Sequence, residues 1–544
     1  MKKSRTLATS TLILVAGSIA SKLLGFLRES VLAYFYGATK VTDAYIIALS
    51  IPAFIMLGIG GAIGTSTISV ASRIESEKGQ GGVFRLVSTL ANSAVLLSTA
   101  LMLLGLGFIR PLIASLAPGF DEGTLALTTK LTIIMLPTAV LSLLQSVFNA
   151  LLQYKGDFSI NALSGALQNV LTIGLVIGAS RYVGITAAAI GALVSSIFIT
   201  AMQLYRLSGI GYRHTWGMDL KNEGFVSVLR MLVPLMAASA VSQVGVMIIR
   251  SMGTNLAEGA VAFINYAQKL IQMPYAIIGT SIITVFYPTI ARQFHEGGKS
   301  GFLSSLHRSM STLYFALAPI AAGAMFLAPL VVRLVYQRGA FTSDMTAATS
   351  IVLVYLSVSM PFMGIADMFS KALFVMQDTV TPLIVTIFST AFAIALAWIL
   401  APSLSYAGLA IALSAQYLAS LMLSSVLFNR KLRNSGRPDP ANVSDASAKG
   451  LTVSGFTTKL LITFGKTTAA TLAMTGGLYL SRMLIGGRLP LTGTVKVIAE
   501  IILYTGIGGA VFILAAAILK TDELMFLVNT ARGFLEKFRR KLAR

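Results

Sequence analysis

Apolar runs of about twenty residues or more recur along the whole of this 544-residue chain. A run of that length crosses the ~30 Å hydrocarbon core of a bilayer as a helix rising 1.5 Å per residue. In hydrocarbon every backbone N–H and C=O must find an internal partner, which leaves only helices or a closed barrel. Barrel strands span about ten residues and alternate in polarity. These runs are longer and apolar throughout, so they specify helices. They lie near residues 7–35, 43–69, 86–109, 127–152, 158–179, 182–204, 225–250, 259–288, 304–328, 345–373, 380–400, 405–428, 460–480 and 494–519, fourteen in all. Only 11% of residues are charged, against roughly a quarter in soluble domains, so lipid must serve as solvent for much of the surface. A disordered chain, a nucleic-acid-binding domain and a cytosolic enzyme are excluded on the same ground.

The net charge is +22, from 42 Lys and Arg against 20 Asp and Glu, and its placement carries the meaning. With the N-terminus in the cytoplasm and fourteen crossings, 27 of the cations fall in cytoplasmic segments and seven outside. The positive-inside rule expects that asymmetry, and adding or removing one helix inverts everything downstream. Both termini are therefore expected in the cytoplasm. The chain has no cysteine, and its histidines, His214, His295 and His307, are dispersed, so no thiolate or zinc site is expected. No HExxH, P-loop or nucleophile–base set appears, so neither an enzyme nor a cofactor is expected.

The stretch 43–73, with Pro52 followed by GGAIGTSTISVASR, resembles 261–292, with Pro274 followed by GTSIITVFYPTIAR. The copies are six helices apart, and an even number of crossings makes the repeat parallel. The expected architecture is an all-α polytopic membrane protein with fourteen transmembrane helices. Two six-helix lobes in parallel repeat are followed by a C-terminal helix pair. The N-lobe and its following linker occupy 1–222 and the C-lobe 223–428. A cytoplasmic linker covers 429–459, the last helix pair 460–520, and a basic amphipathic tail 521–544, suited to anionic lipid.

An ionisable group in lipid costs at least about 2.5 kcal/mol on an isolated helix, so charges inside the runs need a reason. Snorkelling accounts for Lys130, Arg230 and Lys371 near span ends. Lys22 and Arg28 lie deeper; six residues apart, they differ by about 240° around a helix and share a cavity only if the helix breaks near Gly25. Glu29 neighbours Arg28. Asp43, after Thr42, reads equally as the N-cap of its own helix. Arg250 and Lys269 lie in the seventh and eighth runs, and Gln268 and Gln272 share a face beside Lys269. Cations dominate this set, which suits an anionic guest such as a phosphate or diphosphate. A cation or drug antiporter calls instead for an acid-dominated cavity.

SKLLGFLRESVLAYFYGATKVTDAYIIALSIP at 21–52 resembles the opening signature of the MurJ/MviN family of lipid II flippases, within the multidrug/oligosaccharidyl-lipid/polysaccharide exporter superfamily. INYAQKLIQMPYAIIGTSIITVFYPTIAR at 264–292 is similar to the family's eighth-helix segment, and RLVYQRGAFT at 333–342 and LFVMQDTVTP at 373–382 to its later loops. By this resemblance Arg28 matches the family's first-helix arginine. Glu29 stands in for its usual aspartate, Lys22 for a basic residue of the SR(V/L)LGF motif, Asp43 for the aspartate of a TDAF-like motif, and Lys269 for the basic residue of YADRLxxxP. Gln268 and Gln272 replace residues that are often acidic there, and Met56 and Leu57 replace a basic pair.

The resemblance implies a multi-pass protein of the bacterial plasma membrane that moves undecaprenyl-diphosphate-linked peptidoglycan precursor from the inner to the outer leaflet by alternating access. The headgroup is then held in a cationic cavity and the prenyl tail near the last helix pair. Membrane potential or an ion gradient is the expected energy source. The expected partners are lipid II or a related polyprenyl-diphosphate glycolipid, anionic membrane lipids and the cell-wall synthesis or division machinery, with no nucleic acid. Export of another polyprenyl-diphosphate saccharide is the principal alternative, and a multidrug antiporter the lesser one.

Overall fold

A computed structural model describes the backbone of residues 2–56, 59–296, 298–434, 453–485 and 492–525. Much of the expected linker at 429–459 and most of the tail at 521–544 lie outside these residues. Sixteen α-helices follow one another, and no strand occurs among the described residues. They are α1 (Lys2–Tyr36), α2 (Lys40–Met56), α3 (Ile59–Leu116), α4 (Glu122–Met135), α5 (Pro137–Tyr154), α6 (Ser159–Val183), α7 (Thr186–Gly209) and α8 (Glu223–Thr254). The chain continues with α9 (Ala260–Pro274), α10 (Thr280–Glu296), α11 (Gly298–Tyr336), α12 (Ser343–Ser357), α13 (Ser359–Val375), α14 (Val380–Asn434), α15 (Val453–Ile485) and α16 (Gly493–Ile518).

Among the described residues nine helical segments are long and apolar enough to cross a membrane. Two of them, Ser66–Leu116 and Val380–Arg433, run to 51 and 54 residues, more than twice the ~20 that one crossing needs. Each is broken by a residue with positive φ, Gly79 (φ 65°) in α3 and Ser405 (φ 51°) in α14. Apolar side chains such as Leu104, Phe108, Trp398 and Ile399 are 65–70% exposed, as a lipid-facing surface requires. The protein is thus an all-α polytopic membrane protein.

The chain divides into two compact units. The first comprises Met1–Lys269, Tyr336–Met345 and Trp398–Leu409. The second comprises Leu270–Val335, Thr346–Ala397 and Ala410–Arg544. The first unit's core sets Val83, Leu86, Val87 and Leu90 of α3 against Leu143, Val147, Phe148 and Leu151 of α5, with Leu207 and Val228 closing it. The i, i+3, i+4 spacing puts each set on one stripe of its helix. α1 packs on α6 through small residues: a Cβ added at Gly17 would lie 2.5 Å from the Ala162 backbone oxygen, and one at Gly165 would force the Ser21 hydroxyl to turn away. In the second unit, Phe315, Phe326 and Leu327 of α11 pack with Met474 and Leu478 of α15 and Tyr504 and Phe512 of α16.

α9 passes into α10 through a π-turn at Tyr275–Gly279, directly after Pro274. Proline has no N–H to donate one turn back, and widening the helix locally lets it pass the ring without ending. α9 carries Asn265 and Lys269 of the site described next.

Candidate functional site

Asp43, near the start of α2, accepts from the backbone N–H groups of Gly259 (3.0 Å) and Ala262 (2.8 Å). It therefore caps α9 and not its own helix, with its negative charge at α9's N-terminus, where free N–H groups and the helix dipole favour it. Thr42 Oγ1 and the Tyr266 hydroxyl both donate to the Gly37 carbonyl, at 2.9 and 3.1 Å, tying the α1–α2 turn to the same helix.

With its start fixed, α9 presents Asn265 and, one turn further on, Lys269 along one face. Asn265 Nδ2 donates to Glu29 Oε2 at 3.3 Å, while Arg28 Nη2 donates to Glu29 Oε1 at 2.7 Å. Glu29 is 5% exposed, so its carboxylate is satisfied by these two groups instead of by water. Arg28 Nε, also buried, has no hydrogen-bond partner among the described residues, which leaves a donor of the guanidinium unused. From α8, Arg250 Nη1 donates to the Ser50 hydroxyl of α2, which itself donates to the Ile46 carbonyl at 2.7 Å. Lys269 lies within electrostatic reach of Glu29, Arg28 and Arg250. Arg28 pairs directly with Glu29, and Arg250 and Lys269 both feel its charge, all within the first unit. Such a cluster has donors to spare for an anion, and guanidinium groups match phosphate oxygens in pairs.

Four of the eight residues singled out from sequence, Arg28, Glu29, Arg250 and Lys269, come together here. Asp43 stands apart as a cap with both carboxylate oxygens occupied. The break at Gly25 does not occur: α1 runs unbroken, so Lys22 and Arg28 face different directions, and Lys22 is exposed. Gln268 is half-buried beside Lys269, whereas Gln272 is exposed on the part of α9 that belongs to the second unit. Sequence reasoning missed Asn265 and Ser50. Asn265 was findable, because it sits four residues before Lys269 on the same face. Ser50 was not, since a single hydroxyl in an apolar helix ordinarily bonds its own i−4 carbonyl, as Ser50 also does.

The second unit holds a separate pair. The Tyr275 hydroxyl, at the π-turn, donates to the Asp367 carboxylate of α13. One turn further on, the Lys371 ammonium lies 5.8 Å from the ring centres of both Tyr287 and Phe374. Among the described residues no group of three or more histidines and acids converges as a metal site.

Many apolar helices, with charged groups paired among them, define a polytopic membrane protein. The family model described as "Lipid II flippase MurJ" matches residues 32–483. The chain belongs to the MurJ family, and its membership makes it a flippase-type transporter and not an enzyme. A probable lipid II flippase MurJ of Rhizobium meliloti (strain 1021) is 26% identical over 426 residues, covering 75% of this chain and 78% of that one. The lipid II flippase MurJ of Burkholderia cenocepacia is 22% identical over 440 residues, covering 79% and 84%. A solved structure titled "Lipid II flippase MurJ, inward closed conformation" superposes with a TM-score of 0.76 at 22% identity, covering 94% of this chain and 99% of that one. An inward-facing multidrug resistance MATE family transporter of the MOP superfamily gives 0.65 at 17% identity, covering 78% and 98%. At these identities the two structures speak for the fold.

Proposed function

We propose that this protein flips lipid II, undecaprenyl-diphosphate-linked peptidoglycan precursor, from the inner to the outer leaflet of the bacterial plasma membrane. The observation that carries this reading is the surplus of cations, Arg28, Arg250 and Lys269 around Glu29, in a chain of a flippase family. The diphosphate is the headgroup's concentrated negative charge, and the spare donors of Arg28 and Lys269 are the groups to receive it. Moving that headgroup through hydrocarbon demands replacement of its water shell, which fixed donors supply without reorganisation.

The arrangement that serves this function is fourteen helices with both termini cytoplasmic. Two six-helix lobes at 1–222 and 223–428 alternate between inward-open and outward-open states, and the pair at 460–520 accommodates the tail. An apolar cleft of about 470 Å³ among α11, α15 and α16, lined by Leu327, Met474, Leu478, Tyr504 and Phe512, supports a place for the prenyl chain. The basic tail at 521–544 rests on anionic lipid, and the cell-wall synthesis or division machinery draws on the exported product.

The test is conditional depletion followed by a leaflet-specific assay of lipid II, in cells with no redundant flippase. Exposure at the outer leaflet should fall on depletion and return with the wild-type chain. Undiminished exposure would sink the proposal. Gln268, where an acid often stands in the family, gives the second reading, another polyprenyl-diphosphate saccharide, its one specific support. Relocation of that cargo in place of lipid II would favour it.

A further inference from the structure

At one end of the second unit, the start of α11, the start of α15 and the segment after α16 enclose a polar pocket of about 310 Å³. That volume is at the lower end of the range for small-molecule sites, about 300–1,000 Å³. Lys459, Thr463 and Lys466 enter it from one face of α15, at i, i+4 and i+7. Asp522 and Glu523 enter from the segment after α16, and His307 from α11.

The two signs of charge share the pocket without touching. No ion pair within 4.0 Å joins either lysine to either acid among the described residues. Lys466 spends one donor, at 3.4 Å, on the Lys520 carbonyl at the end of α16. His307 Nε2 is buried without a hydrogen-bond partner. Glu523 is 7% exposed, and burial pushes its carboxyl above the usual carboxylate range. Lys466 meets one backbone carbonyl and Glu523 its own backbone N–H, which leaves hydrogen-bonding capacity of both kinds for a guest. One guest that brings both is a phosphate ester carrying a primary ammonium.

The solvent around these helices is lipid, and the same three helices line the apolar cleft described above. Along α15, Lys466 and Met474 are eight residues apart, about 12 Å at the helical rise. A headgroup in the polar pocket would therefore have its acyl chain beside apolar wall. We propose that this pocket binds the headgroup of a phospholipid of the phosphatidylethanolamine type, its phosphate on Lys459 and Lys466 and its ammonium on Glu523 and Asp522. The primary ammonium matters because its three N–H donors can be shared between the two carboxylates. A quaternary choline donates none, and a glycerol headgroup brings no positive charge to the acids.

The site is separate from the cationic cluster of the first unit and stands or falls independently of the cargo. The test uses the full-length protein in detergent with equimolar phosphatidylethanolamine, phosphatidylcholine and phosphatidylglycerol, with retained lipid counted by native mass spectrometry. The wild type should retain phosphatidylethanolamine at least about fivefold over either competitor, since choline has no N–H to donate and glycerol hydroxyls donate without the charge assistance of an ammonium. Glu523→Gln and the pair Lys459→Ala with Lys466→Ala should each abolish that preference, while Lys466→Arg keeps it and reports an intact fold. Free phosphoethanolamine in millimolar excess should fail to displace the lipid. Equal retention of all three lipids, a preference for phosphatidylglycerol, unchanged retention in the variants, or displacement by the free headgroup would each overturn the assignment.

Discussion

Lys269 and Asp43 are both ionisable groups in apolar surroundings, and they do different work. Among the described residues Lys269 forms no side-chain hydrogen bond or ion pair, and under the proposed function its ammonium would receive the cargo. A hydrogen bond to a charged group contributes about 1.5–3 kcal/mol, a factor of roughly ten to a hundred in binding. Lys269→Ala should slow outward flipping by that factor while leaving the thermal midpoint in detergent near wild type, and Lys269→Arg should restore part of the rate. An undiminished rate in Lys269→Ala would remove this residue from the site. Arg28→Ala is a harsher change, since it strips Glu29 of its 2.7 Å partner and leaves a buried carboxylate exposed to destabilisation. Asp43→Ala should lower stability by about 1–3 kcal/mol, because two α9 N–H groups lose their acceptor. Asp43→Asn, keeping one oxygen, should fall between. Unfolding midpoints in detergent check both, and an unchanged midpoint in Asp43→Ala would refute the cap. From sequence, charge in an apolar run was visible at every one of these positions. Which charges were spare and which were spent was not, because that depends on partners more than two hundred residues away.

The helices and their junctions explain two of the loop motifs. In LFVMQDTVTP, Gln377 takes positive φ (59°) to end α13, and Asp378 then caps α14. Its Oδ1 accepts from the N–H groups of Val380 and Thr381, both at 3.0 Å, and its Oδ2 from the Thr381 hydroxyl and the Lys431 ammonium. Burial alone would raise this carboxyl; Lys431 and the Thr381 groups outweigh it and hold the pKa at about 2. An acid depressed in the folded state stabilises fully above its unfolded value of about 3.9 and loses that contribution as pH falls through the folded value. The stability gap between wild type and Asp378→Asn should accordingly be constant above about pH 5 and close as pH approaches 2. A gap that persists at pH 2 would contradict the pairing. In RLVYQRGAFT, Gly339 has φ 59°, and a Cβ there would lie 2.3 Å from the Tyr34 carbonyl, to which Ala340 N–H donates at 2.9 Å. Gly339→Ala should cost more than about 1 kcal/mol, read as a lower midpoint, since both the φ and the space forbid a side chain. The apolar runs made the helices legible. The turn motifs were recognisable only as patterns, since cap geometry and close approach are properties of the folded chain.

For the molecule as a whole, the proposed function has the cluster's charge lower the barrier to an anionic headgroup without supplying energy. A potential negative inside is worth about 2.3 kcal/mol per charge per 100 mV and favours outward movement of an anion. Collapsing the potential and ion gradients in sealed vesicles should slow outward flipping, and indifference to both would refute voltage or ion coupling. With fourteen crossings and a cytoplasmic N-terminus, as proposed, 27 of the 42 cations would lie on the cytoplasmic side and serve orientation, and only a few would be left for cargo. The amino-acid sequence by itself determined the solvent and the secondary structure, because a backbone in hydrocarbon must satisfy its own hydrogen bonds and runs of this length do so only as helices. Tertiary structure alone decided how each helix is turned. A helix that is apolar on every side carries no moment to orient it. Its rotation comes instead from close contacts between small residues, such as Gly17 on Ala162, and from long-range caps, such as Asp43 on α9. Those contacts turned Arg28 inward and Lys22 outward on one unbroken helix, and so determined which charges could meet.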